Sequence, residues 1–137
     1  MISPAHILQK YWGHSSFRDS QDDIIKAVLN KKDVVTILPT CGGKSVCYQV
    51  PGLILEGVCF VISPLISLMN DQTEQLRNKG IKALTIKSKA TTDEIVSLFD
   101  NLKFGQYKFL YLSPERLQSD LIIQKIKEIN INLIAVD

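Results

Sequence analysis

Apolar positions change their period along the chain, and the change divides it. Over residues 2–12, Ile7, Leu8, Tyr11 and Trp12 share one helical face and Gly13 ends the run, which predicts a short helix. From Ser20 to Asn30 the set Ile24, Ile25, Val28 and Leu29 recurs at helical spacing behind a possible Ser20 cap, which predicts a second. Beyond residue 32 short β-branched runs alternate with longer helical ones. Strands are predicted at Asp33–Leu38, Val58–Ser63, Ala83–Ile86, Lys108–Leu112 and Asn132–Val136. Helices are predicted between them at Lys44–Val50, Pro64–Lys79, Thr91–Lys103 and Ser119–Ile129. Such alternation reads as β-α-β units, and strands almost continuous in apolar residues suit a parallel sheet covered by helices on both faces.

Composition narrows this picture without changing it. With 137 residues, 45% hydrophobic and 22% charged, the chain has one domain's worth of ordinary globular sequence, so disorder and fibrous architectures are poor readings. No apolar run approaches the ~20 residues of a membrane-spanning helix. Sixteen basic and fourteen acidic side chains leave a formal +2, too little to argue for a polyanionic partner. Cys41, Cys47 and Cys59 are odd in number with no C-x-x-C pair, which favours a reducing compartment over a disulfide framework or zinc site. The amino-terminal residues lack the uninterrupted apolar stretch of a secretory signal, so a cytoplasmic protein is expected.

The strongest chemical signal is Leu38-Pro39-Thr40-Cys41-Gly42-Gly43-Lys44-Ser45, placed after a predicted strand and opening a predicted helix. In such loops backbone N–H groups turn toward anionic oxygens and the helix amino end adds its positive dipole. Gly42 and Gly43 let the backbone approach, Lys44 reaches the β and γ phosphates, and the Ser45 hydroxyl helps to hold Mg²⁺. This predicts nucleotide binding. An amide side chain can pair with a donor and an acceptor on adenine together, which makes Gln21 the candidate for reading the base.

Three further stretches accompany the loop: Phe17-Arg18-Asp19-Ser20-Gln21, Val61 to Gln72 (VISPLISLMNDQ), and Leu110 to Leu117 (LYLSPERL). With them the whole chain resembles the amino-terminal part of a RecQ-family DNA helicase of superfamily 2. The resemblance implies an α/β fold: a RecA-like P-loop NTPase domain with a parallel central sheet flanked by helices, cut off after the Walker B strand. Residues 1–137 would be an incomplete ATP-binding domain, with 1–32 as leading helices that carry the adenine-reading motif. The resemblance also implies ATP and Mg²⁺ as cofactors. Gln21 would read the adenine edge, Arg18 would contact the nucleotide, and His14, where the family usually has an aromatic, would stack on the ring. Thr40 to Ser45 would form the phosphate loop, and Lys44 and Asp137 would be the catalytic residues, Asp137 orienting Mg²⁺ through water.

The implied partner is single-stranded or forked DNA, with no membrane. The DNA backbone would lie across Ser63, Pro64, Leu65, Asn70 and Gln72. Ser63-Pro64 and Ser113-Pro114 each read as a serine N-cap with proline in the first helical turn. Arg77, Lys79, Lys82, Lys87 and Lys89 are five basic residues without an acidic one among them; they could extend that track, though a solvated face around a helix-to-strand turn is the commoner explanation. The implied activity is ATP-dependent 3′ to 5′ DNA unwinding in repair and recombination, cytoplasmic, and nucleoid-associated in a bacterium.

Two features depart from the family. Cys41 stands where it normally has glycine; if that position needs φ > 0, the side chain costs roughly 1–2 kcal/mol, about tenfold in nucleotide affinity. The family continues after Asp137 with Glu-Ala-His, whose glutamate activates the attacking water, so the 137 residues alone are expected to be inactive. The alternative reading is a non-catalytic DNA- or nucleotide-binding module. A phosphate-loop kinase or GTPase is disfavoured, because Phe17 to Gln21 points to adenine.

Overall fold

The computed structural model describes residues 2–18, 20–39 and 43–137. Thr40, Cys41 and Gly42 therefore lie outside the described residues, as do Met1 and Asp19. The chain divides into two compact units, Met1–Glu56 and Gly57–Asp137.

The first unit is helical. Helix α1 (Pro4–Trp12) starts behind Ser3, whose hydroxyl accepts from His6 N at 3.2 Å with Pro4 at the first position, and ends on Gly13 at φ 72°. Helix α2 spans Gln21–Leu29. Ser20 occupies its N-cap position, but the expected side-chain cap bond is not made. Helix α3 (Lys44–Ile54) runs past the predicted stop at Val50, through Pro51. A proline inside a helix removes one hydrogen bond; here Leu53 and Ile54 beyond it pack on the Ile7, Ile25 and Val50 core, and that burial favours carrying the helix on.

The predicted strand Asp33–Leu38 is not formed. Residues 33–39 carry no strand assignment, and Val35 and Ile37 are each 95% exposed. β-branched composition suits a strand, yet a strand exists only with a hydrogen-bonded neighbour, and no ladder among the described residues includes this segment.

The second unit holds the sheet. Strands β1 (Val58–Ile62), β2 (Ala83–Thr85), β3 (Phe109–Leu112) and β4 (Ile131–Val136) lie in the order β2-β3-β1-β4, and every pairing is parallel. β1 and β3 are central, and all four residues of β3 are fully buried, as a strand covered on both faces requires. On one face Phe60, Leu110 and Leu112 meet Ile95, Phe99 and Leu102 of helix α5 (Thr92–Phe104) and Ile122 of helix α6 (Asp120–Ile126). On the opposite face lies helix α4 (Ile66–Asn78), where the Thr85 hydroxyl donates to that of Thr73 at 3.3 Å. The fold is thus the expected α/β type with a parallel, helix-flanked sheet.

Parallel pairing fixes what the sheet presents. Ile62 stands opposite both Leu112 and Val136, and Thr85 opposite Tyr111. The ladder continues one step further, with Ser63 N donating to Leu112 O and Asp137 N to Ile62 O. The segments after all four strands therefore open along one edge.

Candidate functional site

In the first unit the structure brings Arg18, Gln21 and Gly43 together. Gln21, at 5% exposure, spends its amide on the protein: Nε2 donates to Gly43 O at 3.1 Å, and Oε1 accepts from Arg18 N at 2.9 Å. Gly43 is the N-cap residue of α3 at φ 73°, a left-handed conformation that costs an L side chain roughly 1–2 kcal/mol. A Cβ there would also collide with Gln21 Nε2 and stand 3.1 Å from Arg18 Nη2. The glycine is therefore required twice, by its dihedral and by its neighbours.

Lys44 and Ser45 open α3, Lys44 exposed and Ser45 half-buried. The first turn contains no acidic residue, and its N-cap residue, Gly43, has no side chain to cap it. Helix amino ends carry N–H groups without intrahelical partners and about half a positive charge, so an uncapped first turn with a lysine in it is chemically suited to phosphate oxygens. His14 lies exposed just after the α1 C-cap Gly13. Cys47 is one turn into α3; its Sγ lies 3.8 Å from Gly43 O, and burial pushes its thiol above the ordinary range.

In the second unit the remaining candidates lie at the sheet edge and on α4. Ser63 is buried, and its Oγ accepts from Leu65 N at 3.3 Å. This corrects the expected N-cap: α4 begins at Ile66 behind Leu65, so Ser63 closes a turn ahead of the helix and Pro64 precedes its first residue. Pro64, Leu65 and Asn70 are exposed and Gln72 is half-buried. Ser113 does occupy an N-cap position with Pro114 behind it, but the element is a 3-10 helix (Pro114–Gln118) and the hydroxyl makes no cap bond. Asp137 is exposed at the end of β4.

Within the basic Arg77–Lys89 stretch, Arg77 and Lys82 serve the fold. Arg77 Nε donates to Ala83 O at 3.0 Å, and Lys82 Nζ donates to Gly105 O at 2.9 Å while lying 5.1 Å from the Tyr107 ring centroid. Lys87 and Lys89 remain exposed. Sequence reasoning missed that Arg116 Nη2 donates to the Lys87 carbonyl, 29 residues away. Local spacing carries no signal for such a bond.

These parts define a class: a helix amino end opened by glycine and bearing a lysine in one unit, and a parallel sheet with a polar carboxyl edge in the other. The model of the DEAD/DEAH box helicase family matches residues 18–137, and the chain belongs to that family. Among its relatives are the "Probable ATP-dependent DNA helicase RecS" of Bacillus subtilis (strain 168), 44% identical over 131 residues, covering 95% of this chain and 26% of that protein. The "ATP-dependent DNA helicase RecQ" of the same organism is 44% identical over 132 residues, covering 96% of this chain and 22% of its own length. The protein of that name from Haemophilus influenzae is 40% identical over 131 residues, covering 96% and 21%. The chain is thus homologous to RecQ-type helicases and spans about a quarter or less of these relatives' length. No helix among the described residues is long and apolar enough to cross a membrane.

Proposed function

We propose that this chain supplies the ATP-binding motor part of a RecQ-type DNA helicase, a protein that couples ATP hydrolysis to 3′ to 5′ movement on single-stranded or forked DNA in repair and recombination, in the cytoplasm. The observation that carries the reading is the uncapped first turn of α3, set behind Gly43 and tied through Gln21 to Arg18.

In this reading Thr40 to Ser45 surround the phosphates, and Lys44 neutralises the β and γ oxygens. Arg18, Gln21 and His14 receive the rest of the nucleotide. Beyond its bonds to Gly43 O and Arg18 N, Gln21 has one amide hydrogen and one carbonyl lone pair left, and these are what it would offer to adenine. Ser45 in the first unit would offer Mg²⁺ a hydroxyl, and Asp137 in the second would offer it a carboxylate; each is a hard oxygen donor of the kind this ion takes. Ser63, Pro64 and Leu65 at the sheet edge, with Asn70 and Gln72 on α4, would face the DNA and grip its backbone without reading sequence.

The test is ATP hydrolysis by the full-length protein with and without an oligothymidylate. Stimulation by the oligonucleotide that disappears in Lys44→Ala is the expected result. Hydrolysis that ignores DNA, or that survives Lys44→Ala, contradicts the proposal.

A further inference from the structure

The turn that follows β2 is held more firmly than a solvated lysine loop needs to be. Ile86 is buried, and its N donates to Tyr111 O at 3.1 Å, which extends the ladder beyond the strand. Lys87, Ser88, Lys89 and Ala90 then form a β-turn closed by Ala90 N to Lys87 O at 3.2 Å. Thr91 follows directly as the N-cap of α5, in a capping box with Glu94. The Lys87 carbonyl also receives Arg116 Nη2. Arg116 is itself fixed inside its 3-10 helix, with Arg116 N on Ser113 O at 3.1 Å and Ser119 N on Arg116 O at 3.2 Å.

The turn thus has three anchors, and what it displays is charge. Lys87 and Lys89 are exposed, and neither is in an ion pair among the described residues. Of the nearby carboxylates on α5, that of Glu94 is engaged by Thr91 N at 3.3 Å. The turn opens on the same sheet edge as Ser63 and Ser113. Holding flexible lysines on a rigid backbone reduces the entropy lost when they meet a row of anions.

We infer that Arg116 is a positioning residue for nucleic acid: through the Lys87 carbonyl it fixes the Lys87–Ala90 turn so that Lys87 and Lys89 take successive phosphates of a single strand. This rests on the DNA-binding reading above and deepens it by assigning a residue whose guanidinium acts on the protein. Arginine suits the role, since its planar donor fork holds a carbonyl at a fixed angle, while a lysine ammonium is a flexible point charge.

The experiment measures affinity of the full chain for an oligothymidylate across a salt series. Each phosphate neutralised on a single strand contributes a slope of about 0.7 in log K against log salt. Replacing both lysines, in K87Q/K89Q, lowers the slope by roughly 1.4. Arg116→Lys keeps the net charge yet lowers the slope to a similar extent, and adding it to K87Q/K89Q has little further effect. If Arg116 were simply one more phosphate ligand, Arg116→Lys would keep the original slope, and that result overturns the inference. An unchanged slope in K87Q/K89Q, whose substitutions are at exposed positions, overturns it independently of any effect of Arg116 on folding. Failure of the unsubstituted chain to bind the oligonucleotide would instead contradict the functional reading itself.

Discussion

Gln21 Nε2 donates to the Gly43 carbonyl at 3.1 Å, and the same nitrogen occupies the space that a Cβ at position 43 would fill. One side chain thereby fixes both the conformation and the identity of the residue that opens α3. Gly43→Ala incurs the left-handed penalty of roughly 1–2 kcal/mol together with the collision. Gln21→Ala leaves Gly43 O and Arg18 N without that amide, at about 1–3 kcal/mol. Because Gln21→Ala also removes the collision, the two losses in the double variant should sum to at least ~0.5 kcal/mol more than the measured total. Urea unfolding of the four proteins measures this, and losses that simply add would show that the two residues do not press on each other.

Burial raises the Cys59 thiol well above its ordinary value of 9.0, with Lys108 opposing. The folded pKa exceeds the unfolded one, so the contribution to stability is complete below pH 9 and is lost as pH climbs toward the folded value. Between about pH 8 and about pH 10 this one group removes roughly 1 kcal/mol. Cys59→Ala should therefore lose about that much less than the unsubstituted chain over the same interval, whatever its stability at neutral pH. Parallel pH dependence in the two proteins would mean that the thiol is not shielded from water.

The capping box of α5 pairs the Thr91 hydroxyl with Glu94 N at 3.2 Å and the Glu94 carboxylate with Thr91 N at 3.3 Å. Thr91→Ala is expected to cost about 1 kcal/mol, and Thr91→Ser to restore most of it. Thermal melts of both variants check the pair; equal stability in Thr91→Ala and the parent would remove the box from the account.

Periodicity revealed those parts of the fold that depend on a residue's immediate neighbours. Val58–Ile62 and Phe109–Leu112 read as buried strands because they are almost unbroken apolar runs, and they form the centre of the sheet. Asp33–Leu38 has the same character and forms no ladder, because pairing depends on a distant partner that composition cannot name. Ser63-Pro64 resembled a cap, yet the hydroxyl closes on Leu65 N and the helix starts two residues beyond Pro64. At the candidate site Gln21, Gly43 and Lys44 were visible as types suited to a nucleotide. What Gln21 holds in the protein, 22 residues away in sequence, was not visible, and neither was the bond from Arg116 to Lys87. Long-range polar contacts are set by the path of the chain, and no local spacing encodes them.

If α3 begins a nucleotide site selective for adenine, competitive titration of the full-length protein with ATP and GTP will show it. ATP should bind at least about tenfold more tightly than GTP, a difference of about 1.4 kcal/mol, and Lys44→Ala should weaken ATP by a similar factor or more. Equal binding of the two nucleotides, or unchanged ATP affinity in Lys44→Ala, would contradict it.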